Sequence, residues 1–391
     1  MINKAYKFRL YPNEMQKEYF AKTFGCVRYF YNRSLYESIE YYKQNKKSIN
    51  ITPATYKKEE ECSWLKEVDS LALANAQMQR QVAYKNFFTG QCKFPKFRKK
   101  TNQQSYTTNN QDDNIKFSES GRYIKLPKIK QVRVKKHREV LGTIKSCTIT
   151  KTCDNKYYVS ILTEQEDIKP LNKSNNEVGI DLGLKEFAIM SNDEKVENPK
   201  YYEKAEKKLK KEQRKLSLMV KGSSNRNKQR IKVAKVHNHI KQQREDFLQK
   251  LSTKIIRENQ SIFLETLKVK NMQQNHNLAK SISSASWSSF VNMLTYKSKW
   301  YGREIIQIPS NYPSSQLCSV CGYQNKEVKD LKVREWECPQ CHTHHDRDIN
   351  ASINILKKGK EILSGQELSV EPVDTHDKSY VEQETTTSTS R

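Results

Sequence analysis

The pattern of hydrophobic and polar positions changes its period several times along the chain, and each change predicts a different element. Residues 2–11 alternate basic and apolar side chains, as a half-buried strand does. From about 14 to 90 the apolar positions recur at steps of three and four, which predicts helices, with one piece over about 69–89. Residues 91–110 lose the pattern and are expected to form an irregular basic loop. Strand-like text resumes over 114–166, so the first strand is predicted to join a β-domain into which the helices are inserted.

The second half of the chain contains two strongly polar segments besides its apolar strands. Residues 167–176 are predicted to be a linker, and 203–257 to form a pair of charged helices with a turn at Lys221-Gly-Ser-Ser-Asn-Arg226. This Lys-rich pair is either a solvated hairpin or a basic face along a phosphate backbone, and both interpretations stay open. Residues 359–391 hold seven acidic and three basic residues, end in Ser and Thr, and are expected to be a disordered tail.

Composition narrows the classes of function. The chain of 391 residues carries 71 Lys and Arg against 44 Asp and Glu, a net charge of +27, and only 35% of its residues are apolar. No run approaches the roughly 18 apolar residues of a membrane span, and the N-terminus shows no apolar signal-peptide segment, so we expect a cytoplasmic protein. A surplus of positive charge this large indicates a polyanionic partner, with nucleic acid as the first candidate. Five scattered cysteines are expected to be reduced thiols: Cys26, Cys62, Cys92, Cys147 and Cys153.

Two acidic residues follow apolar strand-like runs. In the first run Val178 and Ile180 point to one face of a strand while Asp181, with a glycine on each side, points to the other. Flanking glycines would leave room for a bulky phosphodiester, although a turn aspartate in a hairpin is an equal alternative. The run 261–264 ends in Glu265 and resembles a central strand that delivers its carboxylate to the edge where α/β sites lie, but a surface glutamate at a strand end is commoner.

A third acidic residue begins a predicted helix. Asp346 is expected to be its N-cap, Asp348 to share a face with the small residues Ala351 and Ser352, and Gly359 to be the C′ residue. The small residues would let that face lie close to a sheet.

Asp181, Glu265 and Asp348 are more than 80 residues apart, so only the fold could bring them together. Their hard oxygen ligands suit Mg²⁺ or Mn²⁺, and two such ions could activate water for hydrolysis of a phosphodiester. Spacing alone does not demonstrate such a site.

The cysteines near the C-terminus form the strongest isolated motif. Two C-x-x-C pairs separated by 16 residues have the spacing of a four-thiolate zinc ribbon, in which the metal is structural: Cys318, Cys321, Cys338 and Cys341. Gly322 permits the positive φ of a metal knuckle. One of His342, His344 and His345 could replace a cysteine, although four sulfur ligands are favoured.

Several motifs, in order along residues 1–358, resemble those of the TnpB family of transposon-encoded, RNA-guided endonucleases, which are related to type V CRISPR effectors. The motifs are Tyr6-Lys-Phe-Arg-Leu-Tyr-Pro-Asn13, Phe24-Gly-Cys-Val-Arg-Tyr-Phe-Tyr-Asn32, Phe94-Pro-Lys-Phe-Arg-Lys-Lys100, Gln104-Ser-Tyr-Thr-Thr108, Gly179-Ile-Asp-Leu-Gly-Leu-Lys185, Leu264-Glu-Thr-Leu-Lys-Val-Lys-Asn-Met272, Ser314-Ser-Gln-Leu-Cys-Ser-Val-Cys-Gly322 and Asp346-Arg-Asp-Ile-Asn-Ala-Ser-Ile-Asn-Ile355. One departure is His342, where the family usually has a second knuckle glycine.

The resemblance implies α/β, β and α parts in one chain. These are an RNase H-like (RuvC) nuclease domain holding Asp181, Glu265 and Asp348, an inserted zinc ribbon, and a wedge β-domain interrupted by a helical recognition domain. The expected segments are 1–12 (wedge), 13–110 (recognition), 111–172 (wedge), 173–313 (nuclease), 314–343 (zinc ribbon), 344–358 (last nuclease helix) and 359–391 (tail).

The resemblance also implies a function. The protein would bind a guide RNA from the end of an insertion-sequence element and cleave double-stranded DNA beside a short flanking motif by two-metal hydrolysis, with pairing supplying the sequence. Ser105, Tyr106 and Thr107 are predicted contacts to the flanking motif. Aromatic residues among the bases could stack on nucleotides, although we expect most of them to be core residues: Tyr84, Phe87, Phe94, Phe97 and Tyr106.

Two alternatives belong to other classes of function. A nuclease-dead, RNA-guided repressor should have lost active-site acids, and all three are present here. A transposase that joins DNA strands also uses carboxylates and is not excluded by them. The flanking motif, the guide, the target and the oligomeric state cannot be read from the sequence.

Overall fold

The computed structural model of the protein describes residues 1–101, 104–166, 169–330, 332–365 and 383–384. The chain divides into two compact units. The first contains Met1–Glu166 and Gly222–Lys235, and the second contains the segment that ends at Lys221 and the segment that begins at Val236. Each unit has its own hydrophobic core.

The first unit combines a large sheet with helices. Its elements are β1 (Ile2–Tyr11), α1 (Glu14–Asn45), α2 (Pro53–Lys57), a 3₁₀ helix (Glu60–Lys66), α3 (Ser70–Phe88), β2 (Gln104–Asn109), β3 (Lys116–Phe117), β4 (Tyr123–Leu126), β5 (Lys130–Lys135), β6 (Thr143–Lys151) and β7 (Tyr157–Gln165). A capping box starts α1, since the Asn13 side chain accepts from the Gln16 N–H while the Gln16 side chain accepts from the Asn13 N–H.

The sheet of the first unit has the order β2-β6-β7-β1-β5-β4-β3, and β1 pairs antiparallel with both β7 and β5. Its core contains Phe20 and Phe24 from α1 and Leu73 from α3 beside sheet residues. The predicted irregular loop over 91–110 is wrong for 104–109, which form β2. The alternating burial of Tyr106 and Thr108 gives this polar segment one face in the core, so tertiary packing makes it a strand.

The first strand of the second unit begins at Glu177. Its elements are β8 (Glu177–Asp181), β9 (Glu186–Met190), β10 (Lys195–Glu197), α4 (Tyr201–Ser217), α5 (Ser224–Glu258, whose first residues belong to the first unit), β11 (Ser261–Glu265), α6 (Val269–Met272), α7 (Ala279–Ala285), α8 (Trp287–Tyr301), β12 (Glu304–Ile308), a 3₁₀ helix (Lys326–Lys329), β13 (Glu335–Glu337), β14 (His344–Asp346) and α9 (Arg347–Leu363).

The second unit is a three-layer structure. Its sheet has the order β10-β9-β8-β11-β12, in which β8, β11 and β12 are parallel and β9 and β10 are antiparallel to their neighbours. Ile262 and Leu264 of β11 join the core made with α5, α7 and α8, whereas Phe263 points to the opposite face and packs against Ile355 of α9. The strand β11 is therefore buried on both sides.

Helix α9 lies antiparallel on β8 at very short distance. The Lys360 ammonium is 2.6 Å from Glu177 Oε2 at the start of β8. A Cβ on Gly179 would collide with the backbone of Ser352 and would lie 2.6 Å from the Leu356 nitrogen, so the helix needs glycine here. The space beside this glycine, which was predicted to admit a phosphodiester, is therefore occupied by α9.

The end of α9 also differs from the prediction. Gly359 is not the C′ residue, because the helix continues to Leu363, and a Cβ on Gly359 would collide with the ring of Phe263. Glycine is required here for packing and not for a cap. The predicted tail of residues 359–391 is accordingly wrong for 359–363, while 366–382 and 385–391 lie outside the described residues. Gln383–Glu384 form β15, which pairs in parallel with β1.

None of the helices that the structure describes combines the length and the apolar character that crossing a bilayer requires.

Candidate active site and metal centre

Two of the predicted acidic residues are the last residues of neighbouring strands. Asp181 ends β8 and Glu265 ends β11, and these strands are parallel with Ile180 opposite Leu264. Carboxyl ends of adjacent parallel strands meet at one edge of a sheet, where α/β proteins place their sites. Glu265 thus occupies the central-strand position that its apolar run predicts.

The third acid comes from the helix above the sheet. Asp348 lies in the first turn of α9, and because α9 runs antiparallel to β8, its beginning lies at the carboxyl end of that strand. Asp346 is the N-cap, as predicted, and accepts hydrogen bonds from the Asp348 and Ile349 N–H groups at 2.9 and 3.1 Å. Its other oxygen is 2.7 Å from the Lys195 ammonium, so both carboxylate oxygens of Asp346 have structural partners.

One cavity collects the three carboxylates. It has a volume of about 740 Å³ and is lined by Asp181, Glu265 and Asp348 together with Arg334 and Arg347. The carboxylates are each half-buried. Among the described residues, only the four cysteines form a group of three or more candidate ligand atoms close enough to hold an ion, so the carboxylates share the cavity without such close contact.

The environment of the cavity disfavours negative charge on two of its carboxylates, Asp181 and Glu265. Burial, followed by the charges of Glu265 and Asp348, raises the pKa of Asp181 to about 7, while the charge of Arg347 acts against them. Burial also raises the pKa of Glu265. A carboxylate whose neighbours are other carboxylates gains most from a bound cation.

Sequence reasoning missed two arginines of this cavity. Arg334, just before β13, places its guanidinium 3.3 Å from Asp348 Oδ2. Arg347 is buried and donates to the Asp330 carbonyl at 3.2 Å. Arg347 stands directly between the two predicted acids, Asp346 and Asp348, so its position in the motif was a usable signal. Nothing in the sequence around Arg334 distinguishes it from the many surface bases.

The four cysteine sulfur atoms meet as the spacing predicts. All lie within 4.8 Å of one another, with Cys318 and Cys341 3.6 Å apart and Cys321 and Cys338 3.5 Å apart. Sulfur atoms at the Zn–S distance of about 2.3 Å in a tetrahedron are roughly 3.8 Å apart, so the group fits zinc. Cys318 and Cys338 are buried with Val328 and Trp336 in a small separate core.

Two similar turns carry these cysteines. The Cys318 N–H bonds to the Tyr323 carbonyl at 2.8 Å, and the Cys338 N–H bonds to the Thr343 carbonyl at 2.9 Å. Gly322 and His342 both adopt positive φ, of 80° and 56°. His342 therefore adopts the left-handed conformation that the glycine of the first turn has.

The histidines near the second turn are not among the grouped ligands. His345 is buried beside Trp336, and its Nε2 lies 3.1 Å from Cys318 Sγ. His342 Nδ1 lies 3.1 Å from Glu337 Oε1 at the surface. Four sulfur atoms with a histidine beside one of them match the favoured Cys₄ arrangement and leave His345 to hydrogen-bond a ligand.

The three residues predicted to contact the flanking motif differ in how far their side chains are buried. Tyr106 is 4% exposed and packs against Phe20 and Phe24, so its ring belongs to the core, and its contact to the flanking motif stays a prediction. Ser105 is exposed, and the Thr107 hydroxyl lies 2.8 Å from that of Thr148.

The expectation that most of the aromatic residues among the bases belong to the core is wrong. Only Tyr106 does; Phe94 and Phe97 are 43% and 50% exposed, and Tyr84 and Phe87 are half-buried.

Three family models match the chain. The model described as "Probable transposase" covers residues 160–276, the "Cas12f1-like, TNB domain" covers 287–355 and the "Helix-turn-helix domain" covers 1–47. The first two matches contain all three carboxylates and all four grouped cysteines. The third covers β1 and α1.

Similar full-length proteins decide the family. A protein of Streptomyces pristinaespiralis named as an RNA-guided DNA endonuclease is 37% identical over 368 residues, which are 92% of this chain and 90% of the relative. This chain belongs to the TnpB family. A second relative, InsQ of Escherichia coli K12, has the same description in its name and is 30% identical over 95% of this chain and 97% of its own length.

A solved structure shows the same fold. The Cas12f1 chain in a cryo-EM structure of its complex with sgRNA and target DNA superposes with a TM-score of 0.60 at 14% sequence identity. The match covers 88% of this chain and 83% of the Cas12f1 chain. The TnpB chain described here therefore has the overall fold of that effector.

Proposed function

We propose that this TnpB protein is an RNA-guided DNA endonuclease that binds a guide RNA and cleaves double-stranded DNA beside a short flanking motif. The observation that carries the proposal is the convergence of Asp181, Glu265 and Asp348, from three separate segments, on one cavity. Membership of the family, the names of its full-length relatives and the net charge of +27 support the guided, nucleic-acid-binding part.

Asp181, Glu265 and Asp348 would hold the catalytic cations. The donor set fits Mg²⁺ or Mn²⁺, because it consists of hard carboxylate oxygens, and burial together with the neighbouring carboxylates raises the pKa of Asp181. Bound ions supply the Lewis acidity that makes hydroxide from water and stabilises the oxygen leaving phosphorus. The raised pKa makes occupancy pH-dependent, since Asp181 must lose its proton to become a ligand.

The chain's own bases would position the substrate. Arg334 and Arg347 line the same cavity, and guanidinium groups bind phosphate oxygens through paired hydrogen bonds. The Arg334 guanidinium lies 3.3 Å from Asp348 Oδ2, so this ion pair orients the guanidinium toward the site before a phosphate binds. We infer that these two arginines orient the scissile phosphate over the carboxylates.

We further infer that the five-stranded sheet of β8 to β12, together with α9, is an RNase H-like nuclease core. We also infer that the grouped cysteines form a zinc ribbon inserted before α9, the last helix of that core. The parallel strands β8, β11 and β12 with antiparallel β9 and β10 support the first inference. The tetrahedral fit of the four sulfur atoms supports the second. The zinc would be structural, because a closed Cys₄ set leaves no open coordination position.

Cleavage tests the proposed function. Wild-type protein purified with its RNA should cut a DNA duplex that matches the guide in Mg²⁺, whereas Asp181→Ala should lower the cleavage rate by at least 10³-fold and leave RNA and target binding within about twofold. Asp193→Asn, an exposed turn aspartate, is the control and should cleave as the wild type does.

Three outcomes would contradict the proposal. These are unchanged cleavage by Asp181→Ala, cleavage that does not require RNA, and strand joining in place of hydrolysis.

Metal content tests the ribbon. One zinc per chain should co-purify, measured by elemental mass spectrometry, and Cys338→Ser should lose zinc and melt at lower temperature because the buried turn loses its ligand. Cys153→Ser, at an exposed cysteine outside the group, should keep both values. Full zinc in the Cys338→Ser protein would rule the ribbon out.

A further inference from the structure

One face of α1 in the first unit carries a groove that packing does not explain. The groove has a volume of about 520 Å³ and is lined by Gly25, Arg28, Asn32, Arg33, Tyr36 and Phe97, among others; we call it the α1 groove. Its α1 residues recur at steps of three and four, so they form one stripe along the helix. Phe20, Phe24, Val27 and Leu35 on the other face are buried in the core.

Gly25 is the unusual residue of this stripe. It lies inside α1, and a Cβ built on it would meet no atom within 4 Å. Glycine destabilises a helix interior relative to alanine, so it requires a reason. Gly359 has one, because the Phe263 ring occupies the space of its Cβ, whereas no residue that the structure describes occupies the space above Gly25. The open space over Gly25 therefore suits a partner that approaches the helix backbone closely.

The segment that carries Phe97 lines the other side of the α1 groove and is held to α1 by hydrogen bonds. Asn32 accepts from the Arg98 N–H at 2.7 Å and donates to the Arg98 carbonyl at 2.9 Å. The Arg98 guanidinium is 3.8 Å from the centroid of the Tyr31 ring. This segment carries Phe97, which stays 50% exposed beside the groove although its neighbour is anchored. An aromatic ring that is exposed on a held backbone is preorganised for stacking.

The charges of the groove favour an anion. The Arg28 guanidinium donates to the neutral Gln104 side chain at 2.9 Å, so this contact orients it without neutralising it. Arg33 is paired with Glu37 and Glu59 and is instead a structural cation. Three exposed lysines belong to the segment that carries Phe97: Lys96, Lys99 and Lys100.

We propose that the α1 groove binds an unpaired nucleotide of the guide RNA, with its sugar–phosphate backbone against Gly25, a phosphate at Arg28 and its base on Phe97. The proposal rests on the proposed function. RNA is the occupant because stacking on a protein ring requires an unpaired base, which the loops and bulges of a folded RNA offer before any DNA is bound. The open backbone at Gly25 admits the ribose, and Arg28 supplies the opposite charge.

Adding bulk at Gly25 separates binding from folding. Gly25→Ala should raise the melting temperature, because alanine is the better helix residue and no atom obstructs its Cβ, and yet weaken RNA binding at least fivefold. Gly25→Leu should weaken it further. The probe is a labelled transcript of the RNA that co-purifies with the wild type, titrated by fluorescence anisotropy without DNA.

Charge is tested separately. Arg28→Gln should weaken binding of the same transcript about tenfold, whereas Lys43→Gln, which removes one charge from α1 outside the groove, should change it less than twofold. Unchanged RNA affinity in Gly25→Leu and Arg28→Gln would overturn the proposal, as would a defect confined to target DNA binding by the assembled complex. Wild-type protein is assayed in parallel, and only its own failure to bind RNA or cleave DNA would count against the proposed function.

Discussion

Asp181 shows how the neighbours of one side chain set its chemistry. Its strand ends beside the strand of Glu265 and beneath the first turn of α9, so burial and two carboxylates raise its pKa to about 7. The group would be ionised at neutral pH in water, but here it is balanced between its two states. Such a carboxylate binds a proton or a cation, and this choice is the physical basis of the proposed metal site.

The raised pKa makes the stability of the metal-free protein depend on pH. Between pH 4 and 7 the folded Asp181 keeps a proton that the unfolded residue has lost, so stability decreases as pH rises through this window. In magnesium-free buffer Asp181→Asn should therefore be more stable than the wild type by on the order of 2–4 kcal/mol at pH 8 and nearly equal to it at pH 4.

Thermal unfolding at several pH values, without a chelator that would remove the proposed zinc, measures this difference. Mg²⁺ should raise the melting temperature of the wild type and not that of Asp181→Asn. A difference between the two proteins that stays constant from pH 4 to pH 8 would show that Asp181 has no raised pKa.

The element that organises the site is α9. It supplies Asp348 at one end, and it packs closely on β8 at Gly179 and on β11 through Gly359. The distance between the helix and the sheet therefore sets the position of the Asp348 carboxylate. The ion pair between Lys360 and Glu177 fixes the other end of the same helix. A helix held at both ends gives a metal ligand a defined position, which loops do less well.

Gly359→Ala should destabilise the protein, although alanine is the better helix residue. Its Cβ would collide with the Phe263 ring, and overpacking of this kind costs about 1–3 kcal/mol. Differential scanning calorimetry should show a lower melting temperature for Gly359→Ala and a partial recovery in the double variant Gly359→Ala with Phe263→Leu, because the smaller side chain leaves room. A melting temperature equal to or above that of the wild type would contradict the close packing of α9.

At the scale of the whole molecule, charge is the dominant property. The net charge of +27 exists although residues 359–391 are acidic, so the rest of the chain is more basic than the total indicates. A chain this basic binds a polyanion by releasing its counterions. The guide RNA would therefore neutralise the protein as well as direct it.

RNA affinity should consequently fall steeply with salt. Between 50 and 200 mM KCl the association constant should decrease on the order of 10³-fold if about six or more phosphates are contacted. Filter binding over a KCl series measures the slope, and potassium glutamate in place of KCl tests for a specific anion effect. A slope near zero would mean that the positive charges do not lie along the RNA.

Part of this architecture follows from local pattern. The long helices, the strand over residues 2–11, the turn within the charged helix pair and the N-cap role of Asp346 agree with periodicity and capping, which depend on nearest neighbours. The structure departs where distant packing decides. Polar residues 104–109 become a strand because β6 pairs with them, and Gly359 lies inside α9 because Phe263 needs its space.

The sequence by itself determined the family and the cysteine group, because both depend on residue types at fixed spacing within short motifs, and it singled out the three acidic residues as candidates. Only the tertiary structure decided that Arg334 joins Asp348, that Tyr106 is buried and that the space above Gly25 is open. These properties depend on which atoms approach from segments far along the chain. Spacing within a motif carries no information about such approaches, since they are set by how helices and sheets pack together.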